Sequence, residues 1–137
     1  MAPDPILDDL TIDGFFDAAA LALELHDLFG RYATAVGLGA DGTVHDLTVF
    51  RDDRASFDAA LDWAHCLVVG DARIERLVLM SSTARDLEVL AEIDLDDYRA
   101  ARDTFRTWDV EILDWLQTDG DTVRSMRLSE GGEWPDG

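Results

Sequence analysis

The stretch Val110-Glu-Ile-Leu-Asp-Trp-Leu-Gln117 is followed by Asp119-Gly120 and then by Thr122-Val-Arg-Ser-Met-Arg-Leu128. Its first part alternates apolar and polar side chains, the period of a strand with one face in a core. Asp-Gly favours the φ > 0 conformation of a tight hairpin turn, and Thr122 to Leu128 forms the returning strand. On this hairpin Trp115 falls on the same strand face as Leu113.

The elements upstream follow from this hairpin. Tyr98, Ala101, Phe105 and Trp108 recur at helical spacing; Asp94 caps that helix and Asp97 falls at N3, beside the positive helix end. Ala84 to Ile93 reads either as one or two helical turns or as an irregular excursion with a strand piece. Ile74 to Met80 is a short apolar run with little alternation, as in a central strand covered on both faces, and Ser81-Ser82-Thr83 ends it. Phe57, Ala60, Leu61, Ala64 and Leu67 predict another helix, capped by Asp53 or Ser56 and stopped at Gly70, after a charged loop at Arg51 to Arg54. Arg31 to Phe50 predicts a first hairpin around Asp41-Gly42, with Gly37 and Gly39 marking a bulge or a close approach. Asp13 to Phe29 predicts the first helix. Its wide apolar stripe suits packing on a sheet, Thr11 or Asp13 caps it, and Gly30 fits the C′ position.

The order is helix, hairpin, helix, strand, helix, hairpin. It predicts an α/β chain of the α+β kind: a mixed, mostly antiparallel sheet with three helices packed on it. Residues 1–10 read as a flexible lead-in, 11–130 as a single domain and 131–137 as a polar tail.

Composition narrows the function. The 137 residues carry a formal charge of −19, with 47% apolar residues, enough for a core. Lys is absent, and Asp supplies 23 of the 30 acids. Codon bias in a GC-rich genome or adaptation to high salt would each give this pattern, and both place the protein in the cytoplasm. No run approaches the ~18 apolar residues of a membrane span. The acidic start, Met1-Ala-Pro-Asp-Pro5, lacks the basic and apolar regions of a secretory signal. A surface this negative repels phosphate, which disfavours direct nucleic-acid binding. The single cysteine, Cys66, excludes an internal disulfide and reads as a small core hydrophobe.

Other chemistry-bearing residues have structural readings. His26, His45 and His65 fall on three different elements, and nothing in the sequence brings them together. Ser81, Ser82 and Thr83 lack the Gly-x-Ser-x-Gly elbow of a nucleophile. Asp94, Asp96 and Asp97 lack the spacing of an EF-hand loop. Gly37-x-Gly39 lacks a third glycine and opens no helix, so it is no nucleotide loop. Trp63 and Trp108 fall on or beside apolar faces. Trp115 and Trp134 are the candidates for contact with a partner, because aromatic residues concentrate in binding hot spots.

Several stretches together resemble one family. They are Leu28-Phe-Gly-Arg-Tyr-Ala-Thr-Ala-Val-Gly-Leu38 with Asp41-Gly42-Thr43-Val44; Arg54-Ala-Ser-Phe57-Asp-Ala-Ala60; Ile74 to Met80; Asp94-x-x-Asp97; and Val110 to Trp115 with Ser125 and Glu130-Gly131. This pattern resembles the JAB/MPN-type domain of RadC-like proteins, over roughly residues 15 to 131. The resemblance implies a zinc site built from a His-x-His pair after the central strand, the Asp of a Ser-x-x-Asp and a Glu near the first strand. Here Ser81-Ser-Thr83-Ala-Arg85 follows the strand, and Arg31 and Tyr32 stand where the Glu would fall. Only Asp97 keeps a ligand type; Ser81, Thr83 and Asp94 mark the other positions of a degenerate site. One carboxylate falls short of the about three protein ligands of a catalytic zinc, and without the metal its hydroxide cannot form.

The expectation is therefore a non-catalytic interaction or scaffold module, without metal, cofactor or catalytic residue, whose partner is another protein or a second copy in a homodimer. A different class of expectation is an acidic decoy for a nucleic-acid-binding protein, motivated by the charge and the Arg-free first 30 residues. A small uncharacterised enzyme working through Ser or Asp groups is a third.

Overall fold

The structure, a computed structural model, describes residues 11–50, 57–82 and 92–134. Its elements in chain order are α1 (Phe15–Phe29), β1 (Ala33–Leu38), β2 (Val44–Phe50), α2 (Phe57–Gly70), β3 (Arg76–Ser82), α3 (Glu92–Arg106), β4 (Glu111–Thr118), β5 (Val123–Ser125) and α4 (Met126–Ser129). The strands form one five-stranded sheet in the order β2-β1-β3-β4-β5. β3 pairs in parallel with β4 across α3, and the other three pairings are antiparallel, so the chain is a mixed α/β protein.

β3 occupies the centre because its side chains are apolar in both directions. Val78 and Met80 join Leu21, Leu25, Tyr32 and Leu116 in a core beneath α1. Leu77 and Leu79 join Ala64, Tyr98, Phe105 and Trp115 in a second core, beneath α2 and α3. A run without alternation is what a strand buried on both faces requires. The Tyr32 hydroxyl donates to the Ala22 carbonyl at 2.8 Å, tying α1 to the sheet, and burial raises its pKa.

The start of α1 uses neither expected side-chain cap. Gly14 stands at the N-cap, and the Asp13 N–H donates to the Asp17 carboxylate at 3.0 Å. Both Asp-Gly loops are longer than two residues. In the first, Gly39 N–H donates to Thr43 O at 2.9 Å around a three-residue turn with Gly42 at φ 86°. In the second, Thr118 faces Val123 and Gly120 lies at φ 99°. The register between β1 and β2 slips at Gly37/Leu38, where a Cβ on Gly37 would lie 2.7 Å from Ile74 Cδ1.

Three sequence expectations need correction. The return of the last hairpin is only three residues long; it then turns into a fourth helix, α4, because Ser125 caps it by accepting the Leu128 N–H at 3.0 Å. Asp94 is not the cap of α3 but its third residue, 7% exposed. Leu113 and Trp115 lie on opposite faces, because the β3–β4 register shifts between the pairs Leu77–Ile112 and Val78–Asp114. One inserted residue reverses the alternation beyond it.

Candidate functional site

The C-terminal ends of β3 and β4 gather three of the expected site residues, Ser81, Trp115 and Asp94. Ser81 faces Gln117 in register, and its hydroxyl accepts the Trp115 indole N–H at 2.8 Å. Gln117 donates its amide to the Asp94 carboxylate at 3.0 Å. Ser82 accepts the Tyr32 N–H through its hydroxyl, at 3.2 Å. Ser81 and Asp94 are thus each held by a buried partner on β4, while Asp97 is exposed and lines a separate groove between α2 and α3. Thr83 lies outside the described residues. This donor set does not fit a zinc ion: Ser81 and Asp94 are tied to side-chain donors, and Asp97 stands apart from them. Among the described residues no group of three or more His, Cys, Asp or Glu is placed to share a metal.

The groove holding Asp97 measures about 310 Å³ and is lined by Leu61, Phe105 and Trp108. His65 stacks on Trp108, ring centroids 4.7 Å apart and planes 8° from parallel. Trp108 is 42% exposed, so the expected core tryptophan borders a groove. Cys66 is likewise exposed rather than core, because α2 is apolar on more sides than it buries. His26 packs beside Gly120 and remains apart from His45 and His65 on other elements.

Asp114 is the strongest polar feature. Its carboxylate is 0% exposed and takes four donors. These are the Ser125 hydroxyl, the Trp115 N–H at 2.7 Å, the Arg127 N–H at 2.9 Å and the Trp134 indole N–H at 2.7 Å. Burial pushes its pKa above the ordinary carboxylate range, and the hydrogen bonds pull against that rise. The register shift in β4 places it there and leaves the Leu113 carbonyl free of the ladder; Arg127 Nη1 donates to that oxygen at 3.1 Å. Asp114 therefore joins β4, β5, α4 and the stretch that carries Trp134.

This arrangement revises the two tryptophan candidates. Trp115 is 3% exposed and its indole is held by Ser81, so it is a core residue and offers no contact surface. Trp134 is half-buried rather than in a free tail. Besides binding Asp114, it packs edge-on against Phe15, centroids 6.2 Å apart. The sequence carried no signal for this docking, because strict alternation puts Asp114 on the outer face and only the register shift turns its carboxylate inward, where it requires donors.

A cluster of arginines that sequence reading missed surrounds α4. Glu130 accepts from Arg99 Nε at 2.6 Å and from Arg102 Nη1 at 2.9 Å. Burial alone would raise the Glu130 pKa, but these two bonds outweigh it and hold the group below its usual range. Arg102 stacks over the Tyr98 ring, 5.2 Å from its centroid, and Arg127 and Arg106 lie on the same cleft. Arg99, Arg102 and Arg106 fall at helical spacing on α3, a pattern visible in the sequence; that Arg127 meets them depends on the turn into α4.

No helix among the described residues is long and apolar enough to cross a membrane. No protein-family model matches the chain, and no curated protein matches it either.

Proposed function

We propose that the chain is a non-catalytic JAB/MPN-like, RadC-like domain whose metal site has been lost and which works as a protein-interaction module in the cytoplasm. One observation carries this reading: at two of the four degenerate-site positions, Ser81 and Asp94, the side chain is engaged in an internal hydrogen bond. Ser81 holds the Trp115 indole and Asp94 holds the Gln117 amide, so both contribute to cohesion of the β3–β4 edge. The order of hairpin, helix, central strand, helix and hairpin supports it as well.

The interacting surface is assigned to the outer side of α1 and its neighbours. Phe16 is 85% exposed and Leu28 57%, and an apolar side chain left in water by a helix is a typical contact for another chain. The partner is a protein or a second copy of this chain. The test has two arms. Zinc content is measured after expression in zinc-supplemented medium, together with cleavage of peptide and isopeptide substrates; stoichiometric zinc or cleavage would overturn the reading. Sedimentation of wild type and Phe16→Ser across concentration then reports self-association, expected to weaken in the variant.

A second reading is the acidic decoy. Asp13, Asp17, Glu24 and Asp27 are all exposed on or beside α1, so the outer side of that helix joins apolar and negative groups. Salt-sensitive capture of a basic nucleic-acid-binding protein by immobilised chain would favour it; no capture at low salt would remove it.

A further inference from the structure

We propose that the cleft between the end of α3, the start of β4 and α4 binds a small oxyanion ligand, a carboxylate or phosphate, through Arg106, Arg127 and Arg102. The cleft measures about 400 Å³ and is lined by these three arginines, with Val110, Ile112 and Gly132 contributing to its walls. Four of the chain's 11 basic residues, these and Arg99, lie on or beside it, in a protein whose formal charge is −19. The three lining arginines are balanced by Asp109, Glu111 and Glu130, so the cleft is formally neutral where the chain as a whole is strongly negative, and a guanidinium has a planar fork matched to carboxylate or phosphate oxygens.

The ion pairs already present do not use up this charge. Glu130 is taken by Arg99 and Arg102. Arg127 directs Nε to the Glu133 carbonyl and Nη1 to the Leu113 carbonyl, so its guanidinium is oriented by backbone rather than neutralised by a carboxylate. Arg106 is exposed on the last turn of α3 and has no carboxylate within salt-bridge reach among the described residues. Arg102 Nε is buried without a hydrogen-bond partner of good geometry, and so is the Tyr98 hydroxyl beneath the same guanidinium. Arg102 Nε therefore lies against Tyr98 and out of reach of the cleft, and the donors left for an oxyanion are those of Arg106 and the remaining N–H groups of Arg127 and Arg102.

Three acids share the cleft with the three arginines and limit what enters: Glu130, which is held by Arg99 and Arg102, and Asp109 and Glu111. Glu111 lies 3.9 Å from Arg76, which partly offsets it, and Asp109 stands at φ 59°, the one non-glycine residue with positive φ among the described residues. An extended polyanion would meet these groups and the rest of the negative surface; a small ligand reaches the arginines without covering them.

The test uses the full chain labelled with nitrogen-15. It is titrated with inorganic phosphate and separately with succinate, with sodium chloride at matched ionic strength as control. Saturable shifts centred on the Val110, Ile112 and Gly132 amides are expected with at least one probe and not with chloride. Saturation by phosphate alone assigns a phosphate ligand, and by succinate a carboxylate. Arg106→Ala, an exposed substitution that leaves the fold intact, should weaken binding by about tenfold or more. Arg106→Lys, keeping charge but losing the fork, should fall between. The proposal is overturned if neither probe saturates, if chloride gives the same shifts, or if Arg106→Ala binds as tightly as wild type.

Discussion

Asp114→Ala removes the acceptor at which β4, β5, α4 and Trp134 converge. Three donors from other elements lose their partner: the Ser125 hydroxyl, the Arg127 N–H and the Trp134 indole N–H. At about 1.5 kcal/mol for each bond to a charged acceptor, the loss is about 4.5 kcal/mol, and relief of the buried charge returns about 1.5 kcal/mol. The expected net cost of about 3 kcal/mol is a large fraction of the 5–15 kcal/mol of a typical domain. It corresponds to a fall in Tm of about 10 °C for a chain of this size. Urea unfolding followed by tryptophan fluorescence measures it, with the m-value as control for the unfolded state. Trp134→Phe keeps the ring on Phe15 but deletes one donor, and should cost about 1 kcal/mol. Because both changes remove the same bond, the double variant should be less unstable than the sum by about that amount. A cost below about 1 kcal/mol for Asp114→Ala, or strict additivity with Trp134→Phe, would refute the assignment of Asp114 as the joint of these elements.

Other outcomes follow from single features. Burial raises the folded-state pKa of Asp114, so its contribution is fullest below the unfolded carboxylate pKa and is lost as pH rises through the folded one. Asp114→Asn should therefore gain on wild type as pH rises over that window, and a gap that widens instead would contradict the shift. Gly42→Ala should cost about 2 kcal/mol or more in chemical denaturation, since its Cβ would lie 2.5 Å from the Ile12 carbonyl oxygen at φ 86°. Asp109→Gly should stabilise by about 0.5 kcal/mol by relieving the left-handed backbone at φ 59°. With a charge of −19, Tm should rise with sodium chloride as self-repulsion is screened, and a flat or falling Tm would argue for paired surface charge.

The chain by itself determined the fold class and the order of the elements as far as β5. Unbroken apolarity from Leu77 to Met80 is satisfied between two covered faces, and the buried stretch of β3 is Leu77 to Ser81. The helical spacing of Tyr98, Ala101 and Phe105 likewise fixed which side of α3 is buried. These are local periodicities, and a single chain displays them in full. Tertiary structure decided what depends on registers and on groups far apart in sequence. One extra residue in β4 moved Leu113 and Trp115 to opposite faces and turned Asp114 inward, although strict alternation gives no hint of the insertion. Asp114 then drew Trp134 out of an apparent tail, and the turn at Ser125 carried Arg127 to the arginines of α3. A buried carboxylate must collect its donors from wherever the fold brings them, so its partners belong to the packed molecule and not to any one stretch of sequence.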